Sequence, residues 1–323
     1  MTRRAARALA SCLPLLAQAG CSTQLLRESG AALPAVAGIR AEFFPQREHQ
    51  CGPAALATLL SSTGAAATPD ALAHEVYIPG RQGSVQAEML AATRRHGRVA
   101  LVLEPQLAAL LQELEHGHAV LVLQNFGLPS LPLWHYAVLV GYDRARDAVL
   151  VSGAGDRPRR LAARRFIGTW RRAGYWSFIA LPPGGLPASA RPARYLDAVA
   201  ALEALVQPAD VYADYQAAVG RWPAEPLAWF ALANNRMAAG REPEAAAAYR
   251  EVLRLQPGNL PARNNLALLL ARRGCIDEAS ALLAPARDAA RAAAGQGSFA
   301  AQIADSWHEI QALRATGAGC RPP

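Results

Sequence analysis

The apolar and polar positions divide the chain into a first half of alternating helices and strands and a second half of helices alone. Residues 51–64 are rich in alanine and leucine at helical spacing, and residues 119–123 form a continuous apolar run typical of a central strand. Thr68 and Ser84 occupy cap positions before two helices that run to His74 and His96. The other predicted elements are strands at 39–44, 98–103, 134–142, 148–151 and 174–181, and helices at 106–115 and 160–172. This order predicts an α+β domain with a half-open, mainly antiparallel sheet.

A second pattern begins after a proline- and glycine-rich linker at residues 183–191. Four positions recur 34 residues later, where Leu232, Ala233, Gly240 and Ala245 become Leu266, Ala267, Gly274 and Ala279. This period and its small residues resemble tetratricopeptide repeats, which stack helix pairs and commonly bind protein partners. Tyr215, Ala218 and Pro223 indicate a degenerate earlier copy, and residues 298–313 are predicted to be a terminal capping helix. We therefore expect an all-α repeat domain over residues 192–316, followed by a tail at 317–323.

Composition and charge allow two ordinary domains. The chain has 323 residues, of which 52% are hydrophobic, so it can fill two cores. The net charge is +8, and every basic side chain other than histidine is arginine. Seven arginines lie between Arg157 and Arg172 without a nucleic-acid-binding motif, which favours a solvated face and no nucleic-acid partner.

The N-terminus has the pattern of an export signal. Residues 1–20 combine an arginine-containing start with a short apolar segment at 8–17, which is too short to span a bilayer. Cys21 follows Ala19 and Gly20, which resembles the lipobox of bacterial lipoproteins, although Gln18 replaces the usual leucine. The resemblance implies a lipid on Cys21, a flexible tether at residues 21–38 and a periplasm-facing protein, with Ser22 favouring the outer membrane. The alternative is an ordinary cleaved signal in which Cys21 has no role.

Cys51 is the candidate nucleophile. It lies at the start of the helical run, and Pro53 suits the first turn of that helix. The dipole and free amides of a helix N-terminus stabilise a thiolate, and a thiolate paired with a histidine attacks acyl carbons. A small buried cysteine under a helix is the alternative interpretation. A histidine from elsewhere in the chain decides between them.

His135 supplies that partner, at the start of a predicted strand followed by an apolar run and a Gly-Tyr-Asp turn. The Cys-Gly-Pro-Ala and His-Tyr segments together resemble the peptidase C39-like family of papain-like cysteine peptidases, over roughly residues 41–182. The resemblance implies a peptidase domain at residues 39–182, with Cys51 as nucleophile and His135 as base. No cofactor is implied. His116 and His118 flank a turn expected to be exposed and have no third ligand, so no metal is expected.

The resemblance also implies two supporting residues. The C39 pattern has an oxyanion-stabilising glutamine six residues before the cysteine, where this chain has Pro45, so Gln46 takes the role. The pattern has an aspartate at the end of the strand after the histidine strand, where this chain has Ser152. Ser152 is the positional match for orienting His135, and Asp156 is the alternative.

The expected protein is thus an exported, lipid-anchored cysteine peptidase that binds a peptide or protein substrate and a protein partner through its repeats. Two other functions use the same features. One is a non-catalytic peptide-binding scaffold, and the other is acyl or amide transfer by the same cysteine and histidine. Cys275 and Cys320 would pair in an oxidising compartment if the tail brings them together, which the sequence leaves open.

Overall fold

The structure is a computed structural model that describes residues 25–28, 36–46, 48–152, 157–292, 298–314 and 319–321. The predicted signal, the lipidation site Cys21 and the alternative residue Asp156 lie outside these residues. An N-terminal α+β domain is followed by an all-helical domain, as the sequence predicts. No helix in the described part of the chain is long and apolar enough to cross a membrane.

The N-terminal domain is built on one antiparallel sheet. Its described strands are β1 (Val36–Gly38), β2 (Val99–Val102), β3 (Val120–Asn125), β4 (Trp134–Asp143), β5 (Ala148–Val151), β6 (Arg159–Ala162) and β7 (Ser177–Leu181). The strand order is β2-β7-β3-β4-β5-β6, with β1 pairing with the far end of β4. The long strand β4 is therefore central, and residues at its beginning lie at one end of the sheet.

Helices cover both faces of this sheet. They are α1 (Leu25–Glu28), α2 (Cys51–Ser61), α3 (Pro69–Val76), α4 (Gln86–Arg95), α5 (Leu107–Glu115) and α6 (Ala163–Arg171), with a 3-10 turn at Pro79–Arg81. On one face, α2 to α4 pack on a cluster that includes Leu56, Tyr136 and Val138. On the other face, α5 and α6 pack on a cluster that includes Ala137 and Trp170. Alternation along β4 thus sends successive side chains into two different cores.

The C-terminal domain consists of α7 (Pro192–Glu203), α8 (Tyr212–Arg221), α9 (Pro226–Ala238), α10 (Glu242–Leu255), α11 (Leu260–Arg272), α12 (Ile276–Ala292) and α13 (Ser298–Arg314), with a 3-10 turn at Pro208–Val211. Gly240 and Gly274, the glycines that recur in the sequence, follow the first helix of two successive pairs at φ +69° and +80°. Only glycine adopts this left-handed conformation without strain, which explains why both positions keep it.

The linker between the domains is held by two buried carboxylates. Glu113 of α5 accepts hydrogen bonds from the backbone N–H groups of Ala188 (3.2 Å) and Ser189 (2.8 Å). Asp214 of α8 accepts one from the N–H of Gly184 at 2.9 Å. The apolar cluster on the α5 and α6 face also continues through Tyr195 into the helical domain. The two domains therefore share a packed junction.

Several details differ from the sequence-based predictions. Residues 39–44 are not a strand, because β1 ends at Gly38 and only the Ile39 N–H continues the pairing, with Val140 O at 2.7 Å. Ser84 does not cap α4, whose N-cap is Val85 without a side-chain hydrogen bond. Residues 159–162 form strand β6 rather than the first turn of a helix. His118 is not an exposed turn residue, because its Nδ1 lies 2.6 Å from the buried carboxylate of Glu113.

Other predictions are confirmed. Cys51 is the first residue of α2, and the Thr68 hydroxyl caps α3 by accepting a hydrogen bond from Ala71 N at 3.3 Å. Cys275 and Cys320, whose pairing the sequence left open, form a disulfide that ties the tail to the helical domain.

Candidate active site

Cys51 is positioned by the start of α2. The residue is half-buried, its thiol is the one free thiol in the described part of the chain, and the N-cap residue Gln50 makes no side-chain hydrogen bond. The first-turn amides of an 11-residue helix therefore lack a side-chain cap beside the sulfur. Such amides are the groups that stabilise a thiolate or an oxyanion.

Gly52 allows a loop to press against this helix start. A Cβ at position 52 would lie 2.2 Å from the Oγ of Ser84 and 2.7 Å from its Cβ, which no side chain tolerates. The Ser84 hydroxyl is buried there and has no hydrogen-bond partner in the described structure. The glycine after the cysteine is thus required by close packing, and Ser84 belongs to the surroundings of Cys51.

Tyr136 is the third member of this group. Its hydroxyl donates a hydrogen bond to the carbonyl of Ser84 at 3.4 Å. Burial raises the pKa of Tyr136, and the nearby Cys51 raises it further. Neither Tyr136 nor Ser84 is predicted from the sequence to belong to the site, since Ser84 is expected there only as a helix cap. The available signal for Tyr136 was its position in β4, one residue after the candidate base.

His135 lies at the same end of β4, but its side chain shares the face of Ala137 rather than that of Tyr136. It lines a cavity of about 200 Å³ together with Gln124, Ser152 and Arg159. The Phe126 ring packs on its imidazole at a centroid distance of 5.4 Å. No hydrogen bond joins Cys51 and His135 in the described structure. Cys51, at the start of α2, therefore packs on the face of the sheet that carries Tyr136, whereas the His135 side chain lies on the opposite face.

The surroundings of His135 favour a neutral imidazole. Burial lowers its pKa, and the positive charge of Arg159 lowers it further. The described residues that line the cavity include no carboxylate. A neutral imidazole is the form that accepts a proton, so this environment suits a general base more than a preformed imidazolium.

Ser152 lines the cavity of His135 but makes its recorded hydrogen bonds to β4. Its Oγ accepts one from Val138 N at 3.1 Å, and its own N–H donates to Val138 O at 2.8 Å. Gln124 lies directly opposite His135 in the β3–β4 register, and its side chain donates a hydrogen bond to the Thr169 hydroxyl at 2.6 Å. This neighbour of His135 is not predicted from the sequence. The role of Ser152 in orienting the imidazole stays a prediction.

Gln46 lies in a different depression, of about 250 Å³, between the start of α2 and α3. Its neighbours there are Phe44, Pro45, Gln50, Ala54, Pro69 and Asp70. Cys51 does not line this depression, so the oxyanion role of Gln46 also stays a prediction. The described residues contain no group of three or more side chains suited to hold a metal ion.

Comparison with known proteins supports this description of the two domains. Residues 39–178 match the Peptidase_C39 like family, and residues 226–259 match the tetratricopeptide repeat. No curated protein matches the chain.

Three solved structures are similar to this chain over less than half of its length. The first is a double glycine motif protease from an AMS/PCAT transporter in complex with a leader peptide, at 19% identity and a TM-score of 0.37, covering 45% of this chain and 94% of that chain. The second is the peptidase domain of Streptococcus ComA, at 19% identity and a TM-score of 0.36, covering 44% of this chain and 99% of that chain. The third is a C39-like peptidase from Bacillus anthracis, at 14% identity and a TM-score of 0.35, covering 47% of this chain and 95% of that chain.

Proposed function

We propose that this chain, which carries a domain of the Peptidase_C39 like family followed by a tetratricopeptide repeat, is a cysteine peptidase whose nucleophile is Cys51. The observation that supports this proposal most directly is the half-buried free thiol at the uncapped start of α2. His135, next in sequence to the Cys51 neighbour Tyr136, is the proposed base.

In the proposed reaction, the imidazole of His135 takes the thiol proton and the sulfur attacks a peptide carbonyl carbon. The oxyanion that forms would be held by the backbone N–H of Cys51 and the side-chain amide of Gln46. His135 then returns the proton to the leaving amine, the C–N bond breaks, and water hydrolyses the thioester in a second step.

This reaction requires the imidazole to turn toward the sulfur around the end of β4. His135 is the second residue of that strand, at an end of the sheet where the preceding Trp134 is 53% exposed. Catalytic hydrogen bonds are often long before substrate binds and tighten in the complex.

The remaining parts of the proposal concern location and partners. A disulfide between Cys275 and Cys320 suits an oxidising compartment, which supports export to the periplasm. A lipid on Cys21 would then hold the chain at a membrane, which we propose to be the outer membrane. The repeat domain would dock a protein partner or the substrate.

A second candidate function is a non-catalytic peptide-binding scaffold. The surroundings of His135 favour it. The described residues that line its cavity include no carboxylate, and His135 makes no hydrogen bond to Cys51 in the described structure. Acyl or amide transfer by the same two residues differs from hydrolysis only in the acceptor that attacks the thioester.

The deciding experiment measures the rate at which iodoacetamide alkylates Cys51 as a function of pH. The chain from Ser22 onward retains every described residue, and its other two cysteines are disulfide-bonded, so Cys51 is its single free thiol. His135→Ala should slow alkylation, whereas the control His116→Ala should not, because His116 is exposed at the end of α5.

Turnover is measured on a peptide library with the same chains. Wild type should cleave some library members, and Cys51→Ser and His135→Ala should each abolish cleavage while circular dichroism stays unchanged. Full cleavage by either variant would contradict the enzyme proposal. Peptide binding without cleavage by wild type would select the scaffold instead.

A further inference from the structure

The connection between β3 and β4 exposes an unusual number of apolar side chains. We call residues 126–134 the apolar hairpin. Eight large hydrophobic side chains are markedly exposed in the described structure, and five of them belong to this hairpin. They are Phe126 (41%), Leu128 (66%), Leu131 (77%), Leu133 (64%) and Trp134 (53%). A contiguous exposed apolar patch of this kind marks an interaction surface.

Hydrogen bonds order the backbone of the hairpin. Leu128 and Leu131 exchange two backbone hydrogen bonds of 3.2 Å across the Pro129–Ser130 turn. Below the turn, the Asn125 carboxamide oxygen accepts hydrogen bonds from Gly127 N and Leu133 N, both at 2.9 Å. The leucines at the tip are therefore held out in solvent by the backbone, and exposing them does not depend on a conformational change.

Arginines border the hairpin. Phe126, at the base of the hairpin, lines a shallow depression together with Arg164 and Arg165 of α6 and with Arg172, the residue that follows α6. The buried face of α6 consists of Ala163, Phe166, Thr169 and Trp170, which directs the arginines outward. Residues 157–172 contain seven arginines and no acidic residue, and the hairpin itself has no charged residue. Arg159, Arg164 and Arg165 have no ion-pair partner among the described residues.

We propose that the apolar hairpin and the adjoining arginines form a docking surface for a bilayer that contains anionic lipids. The exposed fractions are largest at the tip, at Leu128 and Leu131, so the surface projects outward and suits insertion into an interface more than it suits a bound peptide. Trp134 stands at the edge of the apolar patch, where an amphipathic ring meets the headgroup region. The arginines carry the charge that anionic headgroups attract.

This attachment is independent of any lipid on Cys21. It would also place the beginning of β4, with His135, close to the membrane surface. Docking by the hairpin would therefore fix the orientation of the N-terminal domain, because it decides which end of the sheet faces the bilayer.

The test uses the chain from Ser22 onward, which lacks the predicted signal and Cys21. Sedimentation with vesicles of phosphatidylcholine and phosphatidylglycerol should carry the wild type down, and vesicles of phosphatidylcholine alone should carry down much less. Leu128→Ser/Leu131→Ser should weaken binding by at least about tenfold. Arg164→Gln/Arg165→Gln should weaken it on the order of fivefold for each arginine.

Matched controls come from the helical domain. Leu205→Ser/Leu227→Ser removes two exposed leucines, and Arg221→Gln/Arg254→Gln removes two exposed arginines with the same change in net charge. Both should bind vesicles as the wild type does. Intrinsic fluorescence should shift to the blue on vesicle binding, and Trp134→Phe should abolish most of that shift.

Three results would overturn the proposal. They are no sedimentation of the wild type, equal binding to both kinds of vesicle, and hairpin variants that bind as well as their controls. If the wild type ignores vesicles but binds acidic, apolar peptides in a hairpin-dependent way, the patch is a peptide-binding surface instead.

Discussion

Removal of the Glu113 carboxylate is expected to loosen the junction between the two domains. The side chain is fully buried and accepts four hydrogen bonds. Oε1 accepts from the Ser189 N–H (2.8 Å) and hydroxyl (2.6 Å), and Oε2 lies 2.6 Å from His118 Nδ1 and 3.2 Å from Ala188 N. Glu113→Ala would leave these donors, which belong to half-buried residues, without a partner.

The expected loss follows from those donors. Each buried donor left unsatisfied costs ~1–3 kcal/mol, partly relieved where water enters beside the partly exposed His118. Breaking a buried charged network costs ~3–5 kcal/mol in other proteins. We therefore expect Glu113→Ala to lower the free energy of unfolding by about 3–5 kcal/mol, and His118→Ala, which removes one donor, to lower it by about 1 kcal/mol.

The pH dependence has a definite sign. Burial raises the pKa of Glu113, but hydrogen bonds from His118, Ser189 and Ala188 outweigh it, so the pKa lies below its ordinary value. A carboxyl whose folded pKa is lowered stabilises the folded state above the unfolded pKa of about 4.3. That contribution is lost as pH falls through the folded pKa.

The assay combines urea unfolding with hydrogen exchange, because a two-domain chain need not unfold in one step. Exchange at the Ser189 amide should speed up in Glu113→Ala and should not in Glu115→Ala, an exposed glutamate on the same helix. Equal protection of Ser189 in both variants, with equal unfolding free energies, would refute the role given to Glu113.

Three further predictions concern the helix start, the disulfide and the candidate base. Gly52→Ala should destabilise the N-terminal domain and slow alkylation of Cys51. Adding Ser84→Gly, which removes both clashing atoms, should restore much of the lost stability. If it restores none, the clash with Ser84 is not the cause. Reduction of the Cys275–Cys320 bond, which spans 45 residues, should lower the stability of the helical domain by up to about 4 kcal/mol, and Cys275→Ser/Cys320→Ser should match the reduced protein in thermal unfolding. If His135 is the base, Arg159→Gln should move the acidic limb of the pH profile of kcat/KM to higher pH, because loss of the nearby positive charge raises the His135 pKa. The control Arg221→Gln should leave that limb in place.

Local signals in the sequence were sufficient for much of the fold. The Cys51 helix, the Thr68 cap and the repeat period depend on residues a few positions apart, so pattern and propensity predicted them. Strand β6 was missed because its arginine- and alanine-rich sequence favours a helix, and only pairing with β5 makes it a strand. The environment of His118 could not be predicted, since its partner Glu113 is buried by residues 188 and 189 of the linker.

The candidate site shows the same division. Motif and order made Cys51 and His135 the candidates, a prediction that stays open, but which face of the sheet each side chain meets depends on register and on the packing of α2. Ser84 approaches Gly52 only because the loop before α4 folds back onto α2, a contact between residues 32 positions apart. No periodicity in the chain encodes that approach.

The held linker changes how a partner on the repeat domain would meet the candidate site. A flexible linker would let the two domains change their relative positions. The effective concentration of a substrate docked on the repeats, at the candidate site, would then depend on linker length. Here Glu113 and Asp214 fasten the connecting residues, and Arg194 of α7 also pairs with Glu104. A substrate bound to the repeats would reach Cys51 only if its own length spans the fixed distance between the two sites. The repeat domain would thus select substrates by reach as well as by affinity.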